Sequence, residues 1–291
     1  MNSNTANKLK DYLELAKLKI MIPVSLTGFT GYFFFDPHLS TNLIFTSFGI
    51  LLMAISASVL NQIQEVELDG NMNRTRFRPL PSGRIKLRNA TIFFLSNLIA
   101  GMVIICYAGN LKAAIIAMIT VIWYNGVYTW SKRITAFAVV PGALTGALPP
   151  LIGWVAAGGG LWEKPIIFIE FLIFTGQIPH FWLLILKFGE EYKQAGMPSL
   201  TGIFTRTQIN RLTFSWVVSS VVAALFLCYF EIIQSRLLIG ILVIASVFLI
   251  WQFSDLLKIR VKEYNLRRYS ILLDSYFLLV LLLLISDKII G

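Results

Sequence analysis

The sequence predicts an all-α, polytopic membrane protein, and three observations carry that prediction. Hydrophobic residues make up 56% of the 291-residue chain and charged ones 14%, with a mean hydropathy of +0.72, a balance that soluble domains do not reach. The apolar residues collect into runs of the length a helix needs to cross a bilayer, roughly 20 residues. Of the 25 lysines and arginines, only Lys112, Lys164, Arg236 and Lys288 fall outside when the N-terminus is set in the cytoplasm, so the positive-inside rule gives nine crossings with the C-terminus outside.

The elements follow in order. Residues 7–19 set Leu9, Tyr12, Leu13 and Ala16 at helical spacing with Lys8, Asp11 and Lys17 opposite, which describes an amphipathic helix on the inner leaflet ahead of the first crossing. Crossings are read at 18–36, 43–62, 90–108, 112–130, 136–157, 165–187, 211–230, 235–254 and 269–287. The outer connections (36–42, 109–111, 158–164 and 231–235) are short. The inner ones are longer and hold nearly all the polar residues, the richest being 61–89 and 187–211, so chemistry is expected on the cytoplasmic side. No Ser/Gly linker, low-complexity tract or short-period repeat interrupts the chain, and a single integral-membrane domain over 1–291, with 1–19 as its amphipathic lead-in, is expected.

Charge and cysteine usage narrow the class further. The net charge of +10 signals topology and contact with anionic lipid, and no nucleic acid is expected as a partner. Cys106 and Cys228 lie inside crossings without a C-x-x-C or Cys/His companion and read as packing residues. The first twenty residues contain Asp11 and Glu14 and no arginine, which fits neither a cleaved signal nor a transit peptide, so a prokaryotic plasma membrane is the expected home.

The most informative stretch joins the second and third crossings. Asn61, Glu65 and Asp69 recur every four residues, a spacing that puts all three on one stripe at a helix end. Two carboxylates one turn apart, at about 6 Å and an effective dielectric near 20, repel by roughly 3 kcal/mol, and a divalent cation would offset that. Oxygen ligands of this kind suit Mg²⁺, which takes a few carboxylates together with waters and phosphate oxygens. The alternative is a solvated helix end whose acids merely face arginines. Arg74, Arg76 and Arg78 follow in a stretch read as extended, which Pro79, Pro81 and Gly83 keep from continuing as helix. Guanidinium forks in a bent loop can converge on a diphosphate, although inner-leaflet binding would also account for them. Metal and diphosphate held against a bilayer point to an enzyme acting on a lipid diphosphate.

Two further groupings carry polar chemistry. Tyr124, Tyr128 and Lys132 stand in steps of four with Arg133 beside the last, so ring faces that can stabilise an allylic cation lead to cations that can hold the departing diphosphate. An interfacial aromatic belt with a snorkelling lysine would look the same. The run at 177–198 (QIPHFWLLILKFGEEYKQAGMP) places His180 and Trp182 in an apolar helix and Glu190, Glu191 and Tyr192 at its cytoplasmic end, where a second acidic cluster would complete a metal and diphosphate clamp. His180 could equally be a packed histidine bonded to a carbonyl. Glu170 and Asp274 lie within crossings and receive no role. The absence of a P-loop, an H-E-x-x-H and a G-x-S-x-G argues against an ATP-driven pump, a zinc protease and a serine hydrolase.

These motifs resemble a known family. The stretch 61–83 (NQIQEVELDGNMNRTRFRPLPSG), with YTWSKR at 128–133, PGALTGALPPLIGW at 141–154, PHFW at 179–182 and EEYKQAGMP at 190–198, is similar to the protohaem IX farnesyltransferases (haem O synthases) of the UbiA superfamily of intramembrane prenyltransferases. The resemblance implies nine helices around a central cavity capped by cytoplasmic polar loops. It also implies Mg²⁺ as cofactor, farnesyl diphosphate and haem B as substrates, and farnesyl transfer to a haem vinyl group with addition of water. It assigns Asn61, Glu65 and Asp69 to the first metal motif, Arg74 and Arg78 to its basic extension, Lys132 and Arg133 to the diphosphate, and His180, with Trp182 beside it, to haem. A haem A synthase or terminal-oxidase assembly is the expected protein partner. The chain departs from the family pattern at Leu18, where proline is usual, and at Glu191, where aspartate is usual. Two other readings stay open: an aromatic-ring, quinone-pathway prenyltransferase of the same superfamily, and a secondary transporter, which would place ionisable groups near the midplane of broken, repeated helices.

Overall fold

A computed structural model describes residues 3–194, 196, 198–258 and 265–290, with the side chains of 3–7 and 190–194 outside the description. Every regular element among these residues is a helix. The lead-in is α1 (Ser3–Ala16), followed by α2 (Leu18–Phe35), α3 (Thr41–Gln64), the short α4 (Val66–Asn71) and α5 (Leu87–Ala108). Next come α6 (Leu111–Ile122) and α7 (Thr129–Ile134), joined by a π-helical turn at Trp123–Tyr128. The chain then forms α8 (Val139–Ala156), α9 (Lys164–Gln194), α10 (Arg206–Tyr229), α11 (Arg236–Phe253) and α12 (Leu266–Ile290). Nine spans among the described residues are long and apolar enough to cross a membrane, with α6, the π turn and α7 counting as one span over Leu111–Ile134. Each matches one expected crossing to within a few residues.

Local chemistry explains the boundaries. Ser40 and Asn110 accept the Leu43 and Ala113 backbone N–H groups at the starts of α3 and α6, and Thr205 with Gln208 forms a capping box at α10. Pro23, Pro149, Pro150 and Pro179 sit inside helices, as membrane helices tolerate when neighbours re-satisfy the backbone.

Packing joins the helices into one bundle. Helix α3 lies on α5 and α2; α8 bridges α2, α6 and α9; α10 and α11 follow; and α12 returns to touch α9 and α2. Outward faces carry large apolar side chains such as Ile44, Tyr107, Ile244 and Trp251, the arrangement a lipid solvent selects. The α2–α8 contact depends on absent side chains. A Cβ on Gly153 would lie 1.9 Å from the Gly28 carbonyl oxygen and 2.8 Å from the Tyr32 nitrogen, and one on Gly31 would lie 2.0 Å from the Pro150 oxygen. Both obstacles are backbone, so the helices themselves would have to part. Gly153→Ala should therefore destabilise the protein by about 1–3 kcal/mol, seen as a lower melting temperature in detergent, and an unchanged melting temperature would show that the contact is slack.

Candidate functional site

The site forms where α3 gives way to α4. Helix α3 ends at Gln64 and Glu65 leaves helical geometry, with φ −109 and ψ 14. Even so, the Glu65 N–H donates to the Asn61 carbonyl (3.0 Å) and the Asp69 N–H to the Glu65 carbonyl (2.7 Å). The four-residue ladder thus survives the break. Asn61, Glu65 and Asp69 are all buried, with 4%, 9% and 5% of their surfaces exposed, whereas the intervening Glu67 is exposed.

Each carboxylate already has a cation. Arg78 Nη1 donates to both oxygens of Asp69, at 2.9 and 2.7 Å, and Lys132 Nζ lies 2.6 Å from Glu65 Oε1. The repulsion inferred from sequence is offset here by two monovalent partners, which arrive from a loop and from a distant helix. Asn61 Nδ2 donates to Thr129 Oγ1 at 3.1 Å, which ties α3 to α7 without using the amide oxygen. Among the described residues no three or more carboxylate, imidazole or thiol groups converge on a point. Two buried carboxylates plus an amide oxygen nonetheless match what Mg²⁺ asks of a protein when phosphates and water complete its shell.

The arginine stretch is a succession of turns, which corrects the expectation of an extended segment. Arg76 N–H donates to Met72 O, Arg78 N–H to Thr75 O, Ser82 N–H to Arg78 O and Ile85 N–H to Pro79 O. Turns send neighbouring side chains in different directions. Arg78 goes inward to Asp69, Arg76 stays outside over the Phe77 ring, and Arg74 reaches the Phe188 ring of α9 at 4.8 Å. Arg84 ties the end of the loop to Asp11 and Glu14 of α1 and to the Phe77 carbonyl.

The second grouping is assembled as well, apart from one member. Lys132 Nζ lies 4.9 Å from the Tyr128 ring, Tyr124 and Tyr128 are 5.2 Å apart, and Tyr128 reaches Phe181 of α9 at 6.2 Å. The π turn between the two tyrosines, closed by Thr129 Oγ1 donating to Tyr124 O, sets how Lys132 meets Glu65. Arg133 points elsewhere: it donates to the Gln64 carbonyl at 2.8 Å and stacks over Trp130, capping the end of α3 and leaving the carboxylates to its neighbour.

Helix α9 separates the remaining residues. His180 meets Asp274 of α12, Nδ1 to Oδ1 2.9 Å, beside the Phe181 ring. Trp182 is buried in a cluster with Ile178, Leu200 and Ile209, its indole N–H unpartnered. The structure therefore does not bring Trp182 to His180, because residues two apart on a helix stand on nearly opposite faces. Glu190 and Glu191 end this helix, and their side chains lie outside the described residues.

Sequence reasoning missed one cation. Lys17, read as part of the amphipathic lead-in, is the left-handed residue (φ 49) that joins α1 to α2. Burial and then the nearby Arg78 push its ammonium down to about 8, while Asp69 and Glu65 pull the other way, so it shares the field of the site. Its only sequence signal is two lysines flanking the start of an apolar run.

A sequence profile of the UbiA prenyltransferase family matches residues 23–281, and the chain belongs to that family. Within it, the chain is 33% identical to a protoheme IX farnesyltransferase of Legionella pneumophila, over 96% of this chain and 95% of that one. A protoheme IX farnesyltransferase of Oleidesulfovibrio alaskensis is 34% identical over 75% of this chain and 77% of the relative. Solved structures agree in fold. A digeranylgeranylglyceryl phosphate synthase superposes with TM-score 0.79 at 24% identity, covering 98% of this chain and all of that one. A UbiA homologue from Archaeoglobus fulgidus bound to GPP and Mg²⁺ gives 0.66 at 16% identity, covering 94% and 99%.

Proposed function

We propose that this chain is a protohaem IX farnesyltransferase, transferring farnesyl from farnesyl diphosphate to a vinyl group of haem B with addition of water, so that haem O and diphosphate leave. The observation that carries the reading is the pair of buried carboxylates, each held by its own cation, next to a pair of tyrosine rings in contact. Glu65, Asp69 and Asn61 would hold Mg²⁺, with Glu190 and Glu191 as a second acidic group. Bound there, Mg²⁺ supplies positive charge to the diphosphate oxygens.

The chain's own residues then divide the work. Lys132 and Arg78 would turn their N–H groups to the diphosphate, and Arg74 and Lys17 would add to the positive field around it. Charge grows on the diphosphate as the allylic C–O bond breaks, so donors fixed in place favour the transition state over the ground state. Tyr128 and Tyr124 present ring faces to the cation left behind. His180 would bind the haem iron through a neutral imidazole.

The quinone-pathway alternative would account for the first motif equally well, but the 29–37% identities over most of the chain are with protoheme IX farnesyltransferases. The transporter reading loses support because the carboxylates and their cations gather where helices end. We place the protein in a prokaryotic plasma membrane with a cytoplasmic N-terminus and an outer C-terminus, on the lysine and arginine asymmetry, and a haem A synthase or terminal oxidase as consumer of its product. The test is direct. Membranes carrying the protein should convert haem B to haem O, read as a mass change in extracted haem, only when both farnesyl diphosphate and Mg²⁺ are supplied. Prenylation of a quinone precursor with haem B left untouched would overturn the assignment.

A further inference from the structure

His180 and Asp274 form a polar pair inside the helical bundle. It joins α9 to α12, 94 residues apart in sequence, at 2.9 Å between Nδ1 and Oδ1. Both residues lie inside membrane-crossing helices, where an ionisable side chain is costly unless it serves a purpose. Neither is sealed by packing: 35% of the His180 side chain and 58% of the Asp274 side chain remain exposed. A ligand can therefore reach the imidazole while its Nδ1 edge is occupied.

The two helices also meet closely one turn away. Gly176, four residues before His180, faces Phe277, three residues after Asp274, so closely that a Cβ on the glycine would fall 1.8 Å from the ring carbon Cζ. On the other side, the rings of Phe181 and Tyr128 connect His180 to Lys132. The imidazole thus lies between a close α9–α12 contact and the proposed diphosphate site.

We propose that Asp274 is a positioning residue for His180. Its carboxylate accepts the Nδ1–H, which selects the tautomer whose Nε2 lone pair is free, aims that nitrogen at the haem iron and raises its basicity. A histidine metal ligand commonly gives its other ring N–H to a carboxylate or a carbonyl for this reason, and loss of such a partner weakens binding by about 10–100-fold. The inference rests on the reading that His180 receives haem.

The experiment titrates haem B into the purified full-length protein in detergent without farnesyl diphosphate, reading affinity, absorption spectrum and midpoint potential. Four forms are compared: wild type, His180→Ala, Asp274→Asn and Asp274→Glu. Wild type should show an imidazole-ligated spectrum that His180→Ala loses. Asp274→Asn should bind haem about 10–100-fold more weakly with a raised midpoint potential, since a less basic imidazole stabilises ferric iron less, and Asp274→Glu should recover most of both. Equal affinity, spectrum and potential in wild type and Asp274→Asn, with His180→Ala still altered, would overturn the role of Asp274 and leave the haem reading standing. The same spectrum in wild type and His180→Ala would overturn the haem reading and this inference with it. If Asp274→Asn does not fold, Asp274→Ser decides: weaker haem binding with a raised midpoint potential supports the proposal, and wild-type affinity and potential in the folded variant overturn it.

Discussion

Asp69→Asn should reduce prenyl transfer by roughly 10³-fold while the protein still inserts and folds, a loss of the size seen when one charged or hydrogen-bonding stabiliser of a transition state is removed. Asp69 is the carboxylate with the least exposed surface in the stripe and the one gripped through both oxygens by Arg78. The amide keeps the shape and removes the charge, so a divalent ion loses a ligand and Arg78 loses the partner that aims it. The defect should appear mainly in kcat and be partly relieved by raising Mg²⁺, because a weakened site fills at higher concentration. Insertion should be normal, since no apolar contact of the core changes. Wild-type turnover by Asp69→Asn at ordinary Mg²⁺ would remove Asp69 from the metal site.

Lys132→Ala is the second large effect, expected to lower kcat by about 10²-fold with a smaller change in KM for farnesyl diphosphate. Lys132 bridges two parts of the site, with Nζ 2.6 Å from Glu65 and 4.9 Å from the Tyr128 ring. Truncation also leaves the nearly buried Glu65 carboxylate without its cation, and breaking a buried pair at one end costs about 3–5 kcal/mol. The variant should therefore melt at a lower temperature without Mg²⁺ and regain part of that loss when Mg²⁺ is added. Intact kcat with inverted membrane orientation would instead make Lys132 a topology residue. Arg133→Ala should have little effect on kcat, because Arg133 donates to the Gln64 carbonyl and stands clear of the carboxylates.

The two experiments test different sources of information. That Asn61, Glu65 and Asp69 lie on one stripe was legible in the sequence, because a four-residue step is the helix repeat and a local hydrogen-bond ladder preserves it even where α3 breaks. The identity of their counter-charges was not. Arg74, Arg76, Arg78, Lys132 and Arg133 look alike as cations beside a membrane, and turns in the loop, a π turn ahead of α7 and the packing of α9 decide which reaches a carboxylate. His180 and Trp182 show the converse error: neighbours in a motif, they are turned apart by the helix that carries them.

The class of fold, the nine crossings and the location of the first acidic stripe are written in the linear chain, because apolar length, charge asymmetry and helical period are properties of contiguous residues. The folded chain alone reveals that Glu65 meets Lys132, that Asp69 meets Arg78, that Lys17 joins their field and that Asp274 meets His180. Each of the three ion pairs unites groups from different elements. No period within one segment encodes such a meeting: Glu65–Lys132 and His180–Asp274 arise when helices that cannot leave the bilayer pack side by side, and Asp69–Arg78 when turns fold the loop after α4 back onto it.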